Sequence, residues 1–284
     1  MLFLSVCGNV YWQNLLKSNK KMSMENIEFR KGAVDASNCI GEGWNFIKPN
    51  YWLFFAMGGV NLLIVIVAGN IPYAGSVINI IVSGALTCGI YIALLAQRRG
   101  ENVPFSLLFE GFSRVVQTTL VTLVSTIPWF VFGIAIYLFV PLPNLTPGAE
   151  NPTELINAIF NRAVIVPLVL SYTAILLVSL VFSLLLFFAL PLIADRNAPI
   201  GDALKLSVSA ALNNIGGLIT LLIFEILLGI AGALACGVGI LFVLPVIYAA
   251  NIAAYKSVFP DTEAQINNEP PRPDQYGGTY GTPQ

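Results

Sequence analysis

Six long apolar runs separated by short polar gaps organise this chain, at residues 51–70, 77–96, 119–140, 166–190, 214–235 and 239–255. About 20 apolar residues in helical form cross the hydrocarbon core of a bilayer, and every run is near that length. Water is absent there, so each segment must satisfy its backbone amides internally, which an α-helix does and an open strand does not. The pattern therefore predicts an all-α polytopic membrane protein with six transmembrane helices, arranged as three hairpins.

A second pattern precedes each odd-numbered run. Ala33, Ala36, Ile40, Trp44 and Ile47 recur at helical spacing before the first, and Phe105, Leu108, Phe109, Phe112 and Val116 before the third. Ile200, Ala203, Leu204, Ser207, Val208 and Ala211 do so before the fifth, with Asp202 and Lys205 on the other side. Pro104 and Pro199 suit helix starts. An apolar stripe beside charges predicts an amphipathic helix lying at the membrane interface. The three units have unequal spacing and do not align residue by residue, so the repetition is structural only.

Charge then orients the runs. Thirteen of the 14 Lys and Arg residues fall in alternate gaps, the exception being Arg162 beside the fourth run. Such a bias predicts that both termini are cytoplasmic. The predicted organisation is a partly disordered cytoplasmic segment 1–32, a membrane domain 33–256 and a disordered Pro/Gly-rich cytoplasmic tail 257–284. Residues 1–10 lack the basic start of a signal peptide, and Met22 is an alternative start. In the one long outer gap, Asn151-Pro152-Thr153-Glu154 resembles the start of a short helix.

Composition narrows the function classes. The chain is 56% hydrophobic and 10% charged, with mean hydropathy +0.78, far from a soluble domain with about 25% charged residues. Net charge is −1 and no dense basic block exists, which excludes a nucleic-acid partner. Histidine is absent, removing the commonest general base and zinc ligand. Cys7, Cys39, Cys88 and Cys236 are too scattered for a metal or disulfide framework. No catalytic residue, metal ligand or cofactor site is predicted.

One ionisable side chain, Glu225, falls deep inside a run. A charge there costs about 2.5–3.5 kcal/mol on insertion scales, so Glu225 must face the bundle interior. It serves either as a proton, cation or amine site or as a neutral acid holding helices together. Asn61, Ser125, Thr126 and Ser179 are at similar depth, and Glu225 with Asn61 forms the candidate intramembrane polar site. Gly229, Ala233 and Gly237 have the small-xxx-small spacing of a helix-packing stripe, and Gly237-Val238-Gly239 suits the tight turn between the last two runs.

Several stretches together carry a family resemblance: Gly43-Trp44, Ile47-Lys48-Pro49-Asn50-Tyr51-Trp52, Phe105-Ser106-Leu107-Leu108-Phe109-Glu110-Gly111-Phe112, Pro191-Leu192-Ile193-Ala194-Asp195, Asp202-Ala203-Leu204-Lys205-Leu206-Ser207, and Pro245 ahead of Ala253-Ala254-Tyr255. Over residues 33–255 the chain resembles uncharacterised bacterial multi-pass membrane proteins similar to the membrane domain of some glycerophosphoryl diester phosphodiesterases. That resemblance implies a helical membrane module and carries over no catalytic residue. Two functions are expected. The first is a non-enzymatic module acting through membrane lipids, another membrane protein or a second copy of itself. The alternative is a transporter or channel for a small or lipidic solute with Glu225 lining its path.

Overall fold

The computed structural model describes residues 29–72, 74–139, 162–235 and 237–261. Segments 1–28 and 262–284, the stretch containing Asn151–Glu154, and Cys7 and Cys236 lie outside the described residues, as do the expectations attached to them.

Among the described residues the secondary structure is helical throughout: α1 Ala36–Ile47, α2 Tyr51–Gly69, α3 Ala74–Arg98, α4 Leu107–Glu110, α5 Val115–Phe139, α6 Arg162–Leu185, α7 Ala189–Arg196, α8 Ile200–Asn213, α9 Ile215–Leu234 and α10 Gly239–Val258. Single 3₁₀ turns join α1 to α2 and α4 to α5. Six segments are long and apolar enough to cross a membrane, and they coincide with the six apolar runs. The chain is a multi-pass helical membrane protein. Consecutive spans pack together, α2 on α3, α5 on α6 and α9 on α10.

The short helices α1, α4 and α8 are built into the bundle. α1 starts where the Asp35 carboxylate accepts the amides of Ser37 (3.0 Å) and Asn38 (3.3 Å). Its buried face is Ala36, Cys39, Gly43 and Ile47, while Trp44 is 42% exposed. That face meets α10 so closely that a Cβ on Gly43 would stand 2.8 Å from the Ala250 nitrogen. In the second unit Leu108 and Gly111 are buried, whereas Phe105, Phe109 and Phe112 are exposed. A Cβ on Gly111 would lie 1.9 Å from the Ala85 oxygen, and one on Gly89 would lie 1.9 Å from the Leu108 oxygen. In the third unit Ala203, Ser207, Ala210 and Ala211 of α8 are buried. Ser207 Oγ accepts the Phe188 amide (3.1 Å) and donates to the Leu185 carbonyl (2.8 Å), bridging the break between α6 and α7.

Each short helix thus packs on the second span of the preceding unit, α4 on α3, α8 on the α6–α7 segment and α1 on α10, which closes the three units into a ring. Within each stripe the structure separates the residues that meet protein from those that do not. Helix axes approach closely only where side chains are small, so Gly and Ala face the protein and the aromatic residues turn outward.

The described ends meet at the charged end of the bundle, where Arg30 N donates to Val258 O (2.9 Å) and the Phe29 and Phe259 rings are 6.1 Å apart. Asn214, 3% exposed, stitches this segment to the α8–α9 corner by accepting the Ala33 amide (2.8 Å) and donating to Arg30 O (3.1 Å). Val258 and Phe259 are buried. The packed unit therefore begins before residue 33 and ends after residue 256.

Candidate functional site

Residues from four spans assemble a polar core. On α2, Phe54, Met57, Gly58 and Asn61 form one buried face, which carries Asn61 to 6% exposure. Its Nδ2 donates to Tyr248 Oη of α10 (3.1 Å). Tyr248 stands edge-on to Tyr91 of α3, with ring centroids 6.1 Å apart at 80°. Thr87 and Tyr91 are four apart on α3, and Tyr248 and Asn251 three apart on α10, so each pair shares a helix face. Thr87 lies beside Tyr248, and Asn251 beside Tyr91; Glu225 is on α9, which packs on α10. Among the described residues, Asn61 Oδ1, Asn251 Oδ1 and Glu225 Oε1 are buried without a hydrogen-bond partner.

Three of the four expected neighbours of Glu225 are engaged elsewhere. Asn61 pairs with Tyr248, Ser125 donates to Thr122 O (2.7 Å), Thr126 donates to Leu123 O (2.8 Å), and Ser179 Oγ is buried without a partner. Thr87, Tyr91, Tyr248 and Asn251 are neutral, so formal charge inside the runs does not single them out. Their signal was the i, i+4 and i, i+3 spacing of polar residues within apolar helices.

Beside this core, with Thr87 and Tyr91 in the shared wall, lies a cavity of about 290 Å³. Ser83, Thr87 and Tyr91 of α3 face Thr122 and Ser125 of α5 and Ser183 of α6, with Leu186, Phe187 and Leu190 at one side. Gly84 lets α3 and α5 approach here, since a Cβ would stand 2.4 Å from Thr122 Oγ1. The wall hydroxyls are directed. Thr122 donates to Thr118 O (3.0 Å), Ser125 to Thr122 O (2.7 Å), Ser183 to Leu180 O (2.9 Å), and Ser83 to Asn79 O. A hydroxyl has a single proton, so these oxygens offer the cavity acceptor lone pairs only. A second pocket, about 360 Å³, lies between α5 and α6 beside Pro128 and is apolar, lined by residues such as Ile127, Val131, Phe132, Ile175 and Val178.

The expected packing stripe is corrected. Gly229 has nothing within 4 Å of a Cβ, and Ala233 and Gly237 are exposed. The close approach between α9 and α10 is made by Gly232, whose Cβ would lie 3.0 Å from the Gly239 backbone. Gly237 forms the turn at φ +74°, as its position predicted.

At the charged end, Lys256 is buried with its side chain 3% exposed. Its ammonium contacts Asp195 (2.9 Å) and Asp261, and Tyr255 Oη donates to the same Asp195 carboxylate (2.8 Å). Arg196 donates to Pro260 O (3.3 Å) and lies over the Phe259 ring. Arg114 donates to Ile193 O (2.9 Å) and to Ala194 O, placing a cation at the C-terminal turn of α7. Outside the spans, the Ser37 hydroxyl and Asn38 amide hold the Asp35 carboxyl below its ordinary value, and Arg99 does the same for Glu101.

No family model, curated protein or solved structure matches this chain. Its function is therefore argued from the polar core and the cavity.

Proposed function

We propose that this is a non-enzymatic membrane protein that takes a small solute into its bundle, as a carrier or channel. The observation that carries this reading is the hydroxyl-walled cavity among α3, α5 and α6. A module that serves only to hold its helices together fills its interior with apolar side chains at crystal-like density, because polar groups inside a membrane are costly unless used. This reading places Glu225 on the same path, as an acid whose Oε1 is buried without a partner on a helix packed against α10. The absence of histidine, the commonest general base near neutral pH, supports the non-enzymatic part.

Uptake into proteoliposomes tests it. A panel of labelled small solutes should show at least one saturable flux, and the cavity-filling pair Thr87→Leu with Ser125→Leu should reduce it more than about tenfold in a variant that still folds. A flux untouched by filling the cavity, or none across the panel, overturns the carrier reading.

A second reading, action through membrane lipids or a protein partner, is favoured by the charged end. Trp44, Trp52, Phe105, Phe109 and Phe112 are exposed there beside Lys48, Arg98 and Arg99, and Asn50 Nδ2 bonding Gln97 Oε1 (2.7 Å) puts the start of α2 and the end of α3 at one level. Aromatic and basic residues together suit the headgroup zone of an anionic leaflet. The same charges support a cytoplasmic placement of both termini. A C-terminal reporter active only in the cytoplasm should fluoresce, and a silent reporter would reverse the orientation.

A further inference from the structure

We propose that the seam between α5 and α6 holds one uncharged amphiphile drawn from the bilayer. It is a single-chain lipid whose hydroxyl headgroup enters the hydroxyl-walled cavity and whose acyl chain fills the apolar pocket. The inference rests on the reading of that cavity as a solute site and names the class of solute.

Two cavities of opposite character follow one another along this seam. Ser125 of α5 borders the first and Pro128 the second, about one turn apart, while the chain neighbours Ser183 and Phe182 of α6 stand on either side of the same boundary. The first cavity, about 290 Å³, presents hydroxyls, and the second, about 360 Å³, is apolar apart from Ser171. Depth runs in the same order. α5 leaves the charged end just after Arg114 and α6 returns toward it at Leu185, so the hydroxyl cavity is nearer that end and the apolar pocket lies deeper. From Thr122 to Phe132 the seam extends about 15 Å along α5. A lipid in the leaflet at the charged end has the same polarity, with its headgroup at the surface and its chain toward the midplane. The apolar pocket also opens sideways, because Ile127, Val131 and Val178 on its rim are exposed. In a bilayer that open side faces acyl tails, which gives a membrane-borne guest its entry.

The wall chemistry sets the headgroup. Ser83, Thr122, Ser125 and Ser183 give their protons to carbonyls of their own helices and so offer lone pairs. The Thr87 and Tyr91 hydroxyls, beside Tyr248 and Asn251, add donors to the same wall. A wall that both accepts and donates suits a hydroxyl group, which does both. Among the described residues lining the two cavities there is no Asp, Glu, Lys or Arg. A phosphate, carboxylate or ammonium headgroup would be desolvated there without a counter-charge. A free polyol would leave the apolar pocket, the larger of the two, unused.

The full-length protein in nanodiscs tests this with monooleoylglycerol carrying a photoactivatable diazirine in its chain, and the labelled residues are mapped by mass spectrometry. Labelling should saturate and concentrate on residues 127–132 of α5 and 171–182 of α6. Unlabelled monooleoylglycerol should displace the probe. Methyl oleate lacks the hydroxyls, oleyl sulfate and oleyltrimethylammonium carry a charge, and glycerol lacks the chain, so each should need at least about tenfold more. Thr122→Val with Ser125→Ala removes two wall hydroxyls, and Ala174→Phe fills the apolar pocket from an exposed position. Each variant should raise the half-saturating probe concentration at least about tenfold. Labelling spread evenly over the six spans overturns the proposal, as does equal displacement by any of the four comparison compounds. An unchanged half-saturating concentration in either variant also overturns it. If the variants do not fold, the wild-type displacement series decides alone. Saturable capture of the probe without any solute flux would retain this site and remove the carrier reading. Flux of a small solute without capture of the probe would do the reverse.

Discussion

Lys256 is the residue whose role changes most between the linear chain and the folded one. In the sequence it is one more positive charge at the end of a span; in the structure it is buried, with Asp195 and Asp261 as counter-charges and Tyr255 sharing Asp195. Removing one member of a buried pair strands the other, at a cost of about 3 kcal/mol. Lys256→Met should therefore lower stability by that order in chemical unfolding from detergent. The double variant Lys256→Met with Asp195→Leu should be less damaging than the sum of the single changes, because the second removes the stranded charge; strict additivity would show that the contact is not a coupled pair. Glycines make the complementary case. Gly111→Ala forces a methyl against the Ala85 carbonyl and should cost about 1–3 kcal/mol as overpacking, while Gly229→Ala meets open space and should leave unfolding unchanged. Equal effects of the two would refute the close-approach geometry.

Among the elements, the junction of α6 and α7 depends on a neighbour. The helix breaks at residues 186–188, and Ser207 on α8 takes up the Phe188 amide and the Leu185 carbonyl. Ser207→Ala leaves both backbone groups buried without that partner and should destabilise by about 1–3 kcal/mol, with hydrogen exchange rising first at the junction. Exchange confined to α8 would contradict the bridging role. At the start of α1, the Asp35 cap gives a signed pH response. Its carboxyl is held below the ordinary value of 3.8 by the Ser37 hydroxyl and Asn38 amide, so the stabilisation is present above that value and is lost as pH falls through the lower folded one. Acid titration should therefore loosen α1 in the wild type, and Asp35→Ala should remove that step. A step that persists in Asp35→Ala would assign it to another group.

For the whole molecule, span number, span boundaries and the sharing of one end by all the basic gaps were legible because each follows from local sequence. A run of apolar residues in lipid must be helical whatever surrounds it. The isolated acid Glu225 was legible for the same reason, since the cost of an intramembrane charge depends on depth and hardly on partners. The partners were not. Tyr91, Tyr248, Asn61 and Asn251 come from three spans, and nothing in the linear order of neutral polar residues says which will face each other. The stripes of α1 and the α4 region follow hydrophobicity and say that one face avoids water, without saying which of its residues meet protein and which meet lipid. In lipid the apolar residue has no preference for protein over tails, and close backbone packing favours Gly43 and Gly111 instead. Six helical spans with all basic residues but Arg162 in alternate gaps can be read from the linear chain, because bilayer thickness and backbone hydrogen bonding act on each segment alone. The ring of short helices on spans, the buried Lys256 contacts and the hydroxyl-walled cavity among α3, α5 and α6 come from the folded molecule alone, because they depend on which small faces meet across units far apart in the chain.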